Sequence, residues 1–82
     1  MIILNGKQME SRAALHAELK EKLSLPDYYG GNLDALADCL GERRERELVV
    51  IESAGDFLEA NEAYAAKLLR VFGDSGMQVL LD

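Results

Sequence analysis

The chain has no tryptophan, one cysteine, one proline and one histidine among its 82 residues, and each scarcity removes a class of function. A single cysteine rules out an internal disulfide and a site built from several thiolates, which suits a reducing compartment. Cys39 is therefore read as a small hydrophobe on a helix rather than a reactive thiol. With one histidine there is no pair to share a metal or relay a proton, and His16, at the edge of an apolar helical stripe, reads as a packed core residue. No segment approaches the roughly 18 apolar residues of a membrane span, and Met1-Ile2-Ile3-Leu4-Asn5 lacks the basic flank of a signal peptide. No membrane association and a cytoplasmic location are the expectations. A basic surplus is missing too: nine Lys and Arg stand against fifteen Asp and Glu, a net charge of −6. A nucleic-acid binder must neutralise phosphates, so direct nucleic-acid binding is not expected.

What is present is the composition of one ordered domain over residues 1–82, hydrophobic residues making up 49% of the chain. At this size only about 60% of the unfolded surface is buried, which leaves little room for a deep catalytic cleft. Ile2-Ile3-Leu4 reads as a short strand closed by Asn5-Gly6. Ser11 is placed to cap a helix running to about Leu23, with Leu15, Leu19 and Leu23 as its buried stripe and Glu18 with Lys22 as an i,i+4 pair. Pro26 forces Leu25 into an extended conformation and ends that region. Asn32 then caps a second helix to about Leu40, with Gly41 as its stop signal.

Glu42-Arg43-Arg44-Glu45-Arg46-Glu47 reads as a solvated, charge-balanced connector, and Leu48-Val49-Val50-Ile51 as a continuously apolar strand of the kind found in parallel sheets. A helical pattern follows from Asp56 to Phe72, with a break and re-cap at Asn61. Met77 to Leu81 supplies a third strand. Strands separated by helical connections predict an α/β fold: a small three-stranded parallel sheet with three to four helices packed against it.

The most distinctive stretch is Asp27-Tyr28-Tyr29-Gly30-Gly31-Asn32-Leu33-Asp34-Ala35-Leu36-Ala37-Asp38. At about 100° per residue, Asp34 and Asp38 project within about 40° of each other, while Leu33, Leu36 and Leu40 point to the opposite side. Residues 23–41 contain three aspartates and no base, so this acidity has no local compensation. Two glycines free the loop backbone, and two tyrosines offer large rigid surfaces with polar tips; one ring is expected to pack inward and the other to stay free. Asp34, Asp38 and Glu42 fall at successive i,i+4 steps and could be read as ligands for a hard cation. No histidine or nucleophile accompanies them, so no enzyme, metal or cofactor is expected. A convex acidic and aromatic surface that enters a basic cleft on another protein fits better, its carboxylates standing where phosphates would bind.

The segment from Leu25 through Leu40 closely resembles the signature of the barstar family of intracellular ribonuclease inhibitors. Ile3-Leu4-Asn5-Gly6, Leu15-His16 and Leu69-Arg70-Val71-Phe72 extend the likeness over nearly the whole chain. The resemblance implies a three-stranded parallel sheet with packed helices, and stoichiometric inhibition of a cognate ribonuclease by a protein that is monomeric when free. By position it implies that Asp38 enters the nuclease's phosphate-binding pocket, with Asp34 as a second acidic contact and Tyr28 as the aromatic one. Gly30, Asn32, Ala37, Gly41 and Arg43 are further interface positions, Asp74 is a late acidic contact, and Tyr29 is the packed ring. Where the family's inhibitor carries tryptophans, this chain has Ala37 and Arg43, and Arg43 with Arg44 could fold back onto Asp38. The alternative is the same fold reused as a binding or regulatory module for another basic protein, without nuclease inhibition.

Overall fold

Ser11 adopts extended backbone and its hydroxyl accepts the Ala14 amide at 3.1 Å, so the first helix begins where its cap was expected. The computed structural model describes residues 1–82. Strand β1 (Ile2–Asn5) leads through a 3-10 turn (Gly6–Gln8) to α1 (Arg12–Lys22) and α2 (Leu33–Gly41). Strand β2 (Leu48–Glu52), helices α3 (Ala54–Asn61) and α4 (Ala63–Asp74) and strand β3 (Gln78–Leu81) complete the chain. The sheet is parallel throughout in the order β1-β2-β3, with Ile2 beside Val49 and Val49 beside Val79. The expected α/β architecture is the observed one.

One face of the sheet carries the core. Ile2, Leu4, Val49 and Ile51 pack with Leu15 and Leu19 of α1, Leu36 and Leu40 of α2, Phe57 of α3, and Leu68 and Phe72 of α4. Because side chains alternate along a strand, the row Ile3, Val50, Leu80 lies on the other face. There Ile3 and Leu80 are exposed and only Val50, in the central strand, is shielded. The apolar run in β2 suggested a strand covered on both sides, but the helices gather on one side.

Several local expectations are corrected by tertiary contacts. The pattern from Asp56 to Phe72 is two helices, broken at Glu62, whose φ of 47° lies in the left-handed region. Asn61 does not re-cap the chain there. Its amide donates to the carbonyls of Met9 and Phe57, 2.6 and 2.9 Å away, and so ties α3 to the segment before α1. Gly41 is the last residue inside α2, with Glu42 as the cap. Glu18 does not pair with Lys22: it is buried, and its carboxylate accepts the Asn5 amide at 2.8 Å, fastening α1 to the end of β1. No helix is long and apolar enough to cross a membrane.

Gly6 sits where the turn after β1 passes over the start of α3. A Cβ there would lie 2.4 Å from the Ser53 carbonyl oxygen and 2.6 Å from that of Glu52, both backbone atoms that cannot swing aside. Gly6→Ala is expected to destabilise the fold by about 3 kcal/mol, at the upper end of overpacking effects. Gly73, within α4 and with nothing inside 4 Å of its notional Cβ, gives the opposite sign: Gly73→Ala should gain about 0.5–1 kcal/mol. Urea unfolding midpoints of the two variants check both.

Candidate partner-binding surface

The loop before α2 is shaped by a few specific contacts. Ser24 takes a φ of 53°, and the Leu25 amide donates back to the Lys20 carbonyl at 2.9 Å. The Tyr29 amide then closes a turn onto the Pro26 carbonyl, also at 2.9 Å. Gly31 has a φ of 68°, where a side chain would be strained, whereas Gly30 leaves ordinary space for a Cβ. Of the two glycines, only Gly31 is required by the backbone. Asn32 is extended, and its side-chain oxygen accepts the Ala35 amide at 2.8 Å, which starts α2.

The two tyrosines separate as expected. Tyr28 is 82% exposed. Tyr29 turns inward, its hydroxyl 2.6 Å from Nδ1 of His16, while Nε2 of the same ring lies 2.7 Å from the Tyr64 hydroxyl on α4. His16 is thus a packed core residue with both nitrogens engaged. Burial first, then the neighbouring Tyr64 and Cys39, push the Tyr29 phenol up to about 12. Burial also raises the Cys39 thiol above its ordinary range, with the carboxylates of Glu42 and Asp38 adding to it, which disfavours the thiolate.

Along α2 the division of faces is clean. Leu36 and Leu40 are fully buried, while Asp34, Ala37, Asp38 and Gly41 are exposed. The structure brings Tyr28, Gly30 and Asp38 together around a hollow of about 220 Å³, completed by Tyr29, Ala35, Cys39 and Glu42. Ala35, Cys39 and Glu42 were not identified as lining residues from sequence, although the i,i+4 step from Asp38 to Glu42 was visible. A larger, shallower depression of about 420 Å³ lies among Glu10, Asp56, Glu59 and Ala60. It has neither an aromatic ring nor a glycine loop, and its size alone gives it no role.

None of the three arginines of the connector pairs with Asp38. The Arg43 guanidinium donates to the Leu23 carbonyl at 2.9 Å and to Glu47 at 3.2 Å, so it is half-buried against the end of α1 rather than solvated. The two ion pairs of the chain, Arg43 with Glu47 and the N-terminal amine with Glu47, both lie outside α2. Asp34 and Asp38 are left without a basic partner. Asp74 is exposed as the last residue of α4, the helix that packs beside α2, and does not line the hollow. Nowhere do three His, Cys, Asp or Glu side chains converge as metal ligands would.

An exposed ring, a glycine loop and uncompensated carboxylates thus lie together on one side of a small domain of the α/β class. The chain belongs to the barstar family: the family model described as "Barstar (barnase inhibitor)" matches residues 1–79. It is also similar to a Bacillus subtilis (strain 168) protein described as "Putative ribonuclease inhibitor YrdF", 59% identical over 39 residues. That aligned stretch covers 48% of this chain and 43% of the Bacillus protein, under half of each.

Tyr29 generates a pH test. Its folded-state pKa of about 12 lies above the ordinary value of 10. The stability it contributes is therefore complete below pH 10 and is lost as pH rises toward 12, because the unfolded chain releases that proton first. Alkaline urea titrations of the wild type and Tyr29→Phe should show a stability difference that shrinks between pH 10 and 12.

Proposed function

We propose that the chain is a cytoplasmic inhibitor of a ribonuclease, acting as a monomer and without metal or cofactor. It has no catalytic chemistry of its own and does not touch nucleic acid. The loop Asp27–Asn32 and the exposed side of α2 cover the nuclease active site, and Asp38 takes the position of a phosphate. Tyr28 lies against the nuclease surface, Asp34 adds a second carboxylate, and Gly30 with Asn32 keeps the approach close. Ala37, Gly41 and Arg43 complete the margin, with Asp74 at its far side. The observation that carries this reading is the convergence of Tyr28, Gly30 and Asp38 on one hollow beside carboxylates that the chain leaves unpaired.

Membership of a family described by barnase inhibition supports the class of partner. Electrostatics supports the geometry: an acidic surface meeting a basic cleft speeds encounter and fixes orientation. A second reading is favoured by one specific pair of positions. Ala37 and Arg43 stand where the family's inhibitor has tryptophans, and Arg43 is occupied internally by Leu23 and Glu47. On that reading the same acidic surface serves another basic protein.

Capture of partners from the source cell on the immobilised chain, followed by ribonuclease assay with and without added chain, separates the two readings. Recovery of a nuclease that the chain inhibits is the expected result, and recovery of basic proteins without nuclease activity favours the second. With the recovered nuclease, Asp38→Ala should weaken binding more than any other single change. The expected loss is about 2–5 kcal/mol, a range for which the barnase and barstar pair is itself a reference case. Raising salt should slow association more than it speeds dissociation. An Asp38→Ala variant with unchanged affinity would contradict the placement of the interface.

A further inference from the structure

The one histidine joins three elements that share no other side-chain hydrogen bond. His16 of α1 is 5% exposed, with Tyr29 of the loop at 2.6 Å from one ring nitrogen and Tyr64 of α4 at 2.7 Å from the other. A neutral imidazole has one N–H and one bare nitrogen, so one hydroxyl accepts from the ring and the other donates to it. An imidazolium has two N–H groups. Whichever hydroxyl had been donating then loses its acceptor, and a charge is left in a buried place.

The surrounding groups do not favour that charge. From α1, the Arg12 guanidinium lies 4.3 Å from the centre of the Tyr64 ring, and Glu18 is committed to the Asn5 amide. From α2, the thiol of Cys39 faces Tyr29. Burial accordingly lowers the His16 pKa from its ordinary 6.5. The two tyrosines are not held equally. Tyr64 is fixed by the α4 backbone and by Arg12 stacked on its ring, whereas Tyr29 has a single backbone bond, to Pro26.

We propose, on the inhibitor reading above, that His16 is a positioning residue for the partner-binding loop, and that its protonation releases Tyr29, loosens residues 28–31 and weakens partner capture in mildly acid solution. The sign follows from linkage. The ordered loop requires neutral His16, so the bound state is complete above the ordinary histidine pKa and is lost as pH falls through the lowered one. By reciprocity, partner binding lowers the His16 pKa further.

The test is a pH titration of the free protein by NMR from pH 8 to 4, following the His16 ring and the backbone amides of Tyr28, Tyr29, Gly30 and Gly31. The loop amides should shift with the midpoint of His16, before global unfolding. In Tyr29→Phe the His16 ring should still titrate while the loop amides no longer follow it. Loop amides that stay flat through the wild-type midpoint, or a response unchanged in Tyr29→Phe, overturn the proposal. A second arm uses barnase as the probe. The dissociation constant should rise by up to about tenfold per pH unit below the midpoint, and this rise should be absent from Tyr29→Phe, which separates it from titration of the nuclease. A pH dependence equal in the two proteins also overturns the proposal. Absence of barnase binding at every pH counts against barnase as the target, and the NMR arm decides the role of His16 by itself.

Discussion

Between Pro26 and Asn32 the loop that presents Tyr28 makes one backbone hydrogen bond, from the Tyr29 amide to the Pro26 carbonyl, so its position depends largely on where the Tyr29 side chain is anchored. That anchor is the imidazole of His16, held in turn by Tyr64. One short polar chain thus runs from the fourth helix, through the first, to the outer surface. Its members are half-buried or buried, so each hydroxyl and ring nitrogen must find its partner within the protein. The same desolvation that makes the chain costly to break raises the Tyr29 phenol and lowers the His16 imidazole. These shifts keep the Tyr29 phenol and the His16 imidazole neutral near pH 7, the state in which the ring can both donate and accept.

Features set by neighbours in the chain were legible in the sequence. The caps Ser11 and Asn32, the three strands, the buried stripe of α1 and the outward pair on α2 all follow from local propensity and periodicity, and all are found. The features that were missed depend on partners far along the chain. Asn61 looked like a cap because asparagine usually is one, but the Met9 carbonyl, 52 residues away, claims its amide. Glu18 looked like half of a surface pair until β1 placed the Asn5 amide beside it. His16 could be read as packed, yet its second hydroxyl comes from Tyr64, 48 residues on, and no local pattern announces that contact.

The charge of the candidate surface is likewise a product of the whole fold. The sequence places three aspartates in a stretch without bases, with three arginines close behind. Whether those arginines neutralise the surface is decided by the geometry of the connector. Arg43 turns toward the carbonyl at the end of α1 and toward Glu47, spending its two terminal amino groups on the scaffold. Asp34 and Asp38 therefore stay exposed with no basic partner. A like-charge pair at i,i+4 is slightly unfavourable for an isolated helix, by a few tenths of a kcal/mol, which the buried leucines of the opposite face readily offset.

What remains on the outer side of α2 is charge flanked by small residues, Ala37 and Gly41, with an aromatic ring contributed only by the loop. Charge acts over about 8–10 Å at moderate salt, so it governs encounter and orientation. Residence on a partner depends more on apolar groups buried at the centre of the contact. With alanine at position 37, the large apolar element nearest the carboxylates is Tyr28, and Tyr28 is exposed on a loop whose seat is Tyr29. On the proposed inhibitor reading the labour divides accordingly: α2 supplies the field, and the loop supplies the grip. On that same reading, the order of that loop, and through it the neutral state of a histidine in the core, adds to binding strength beside the aspartates.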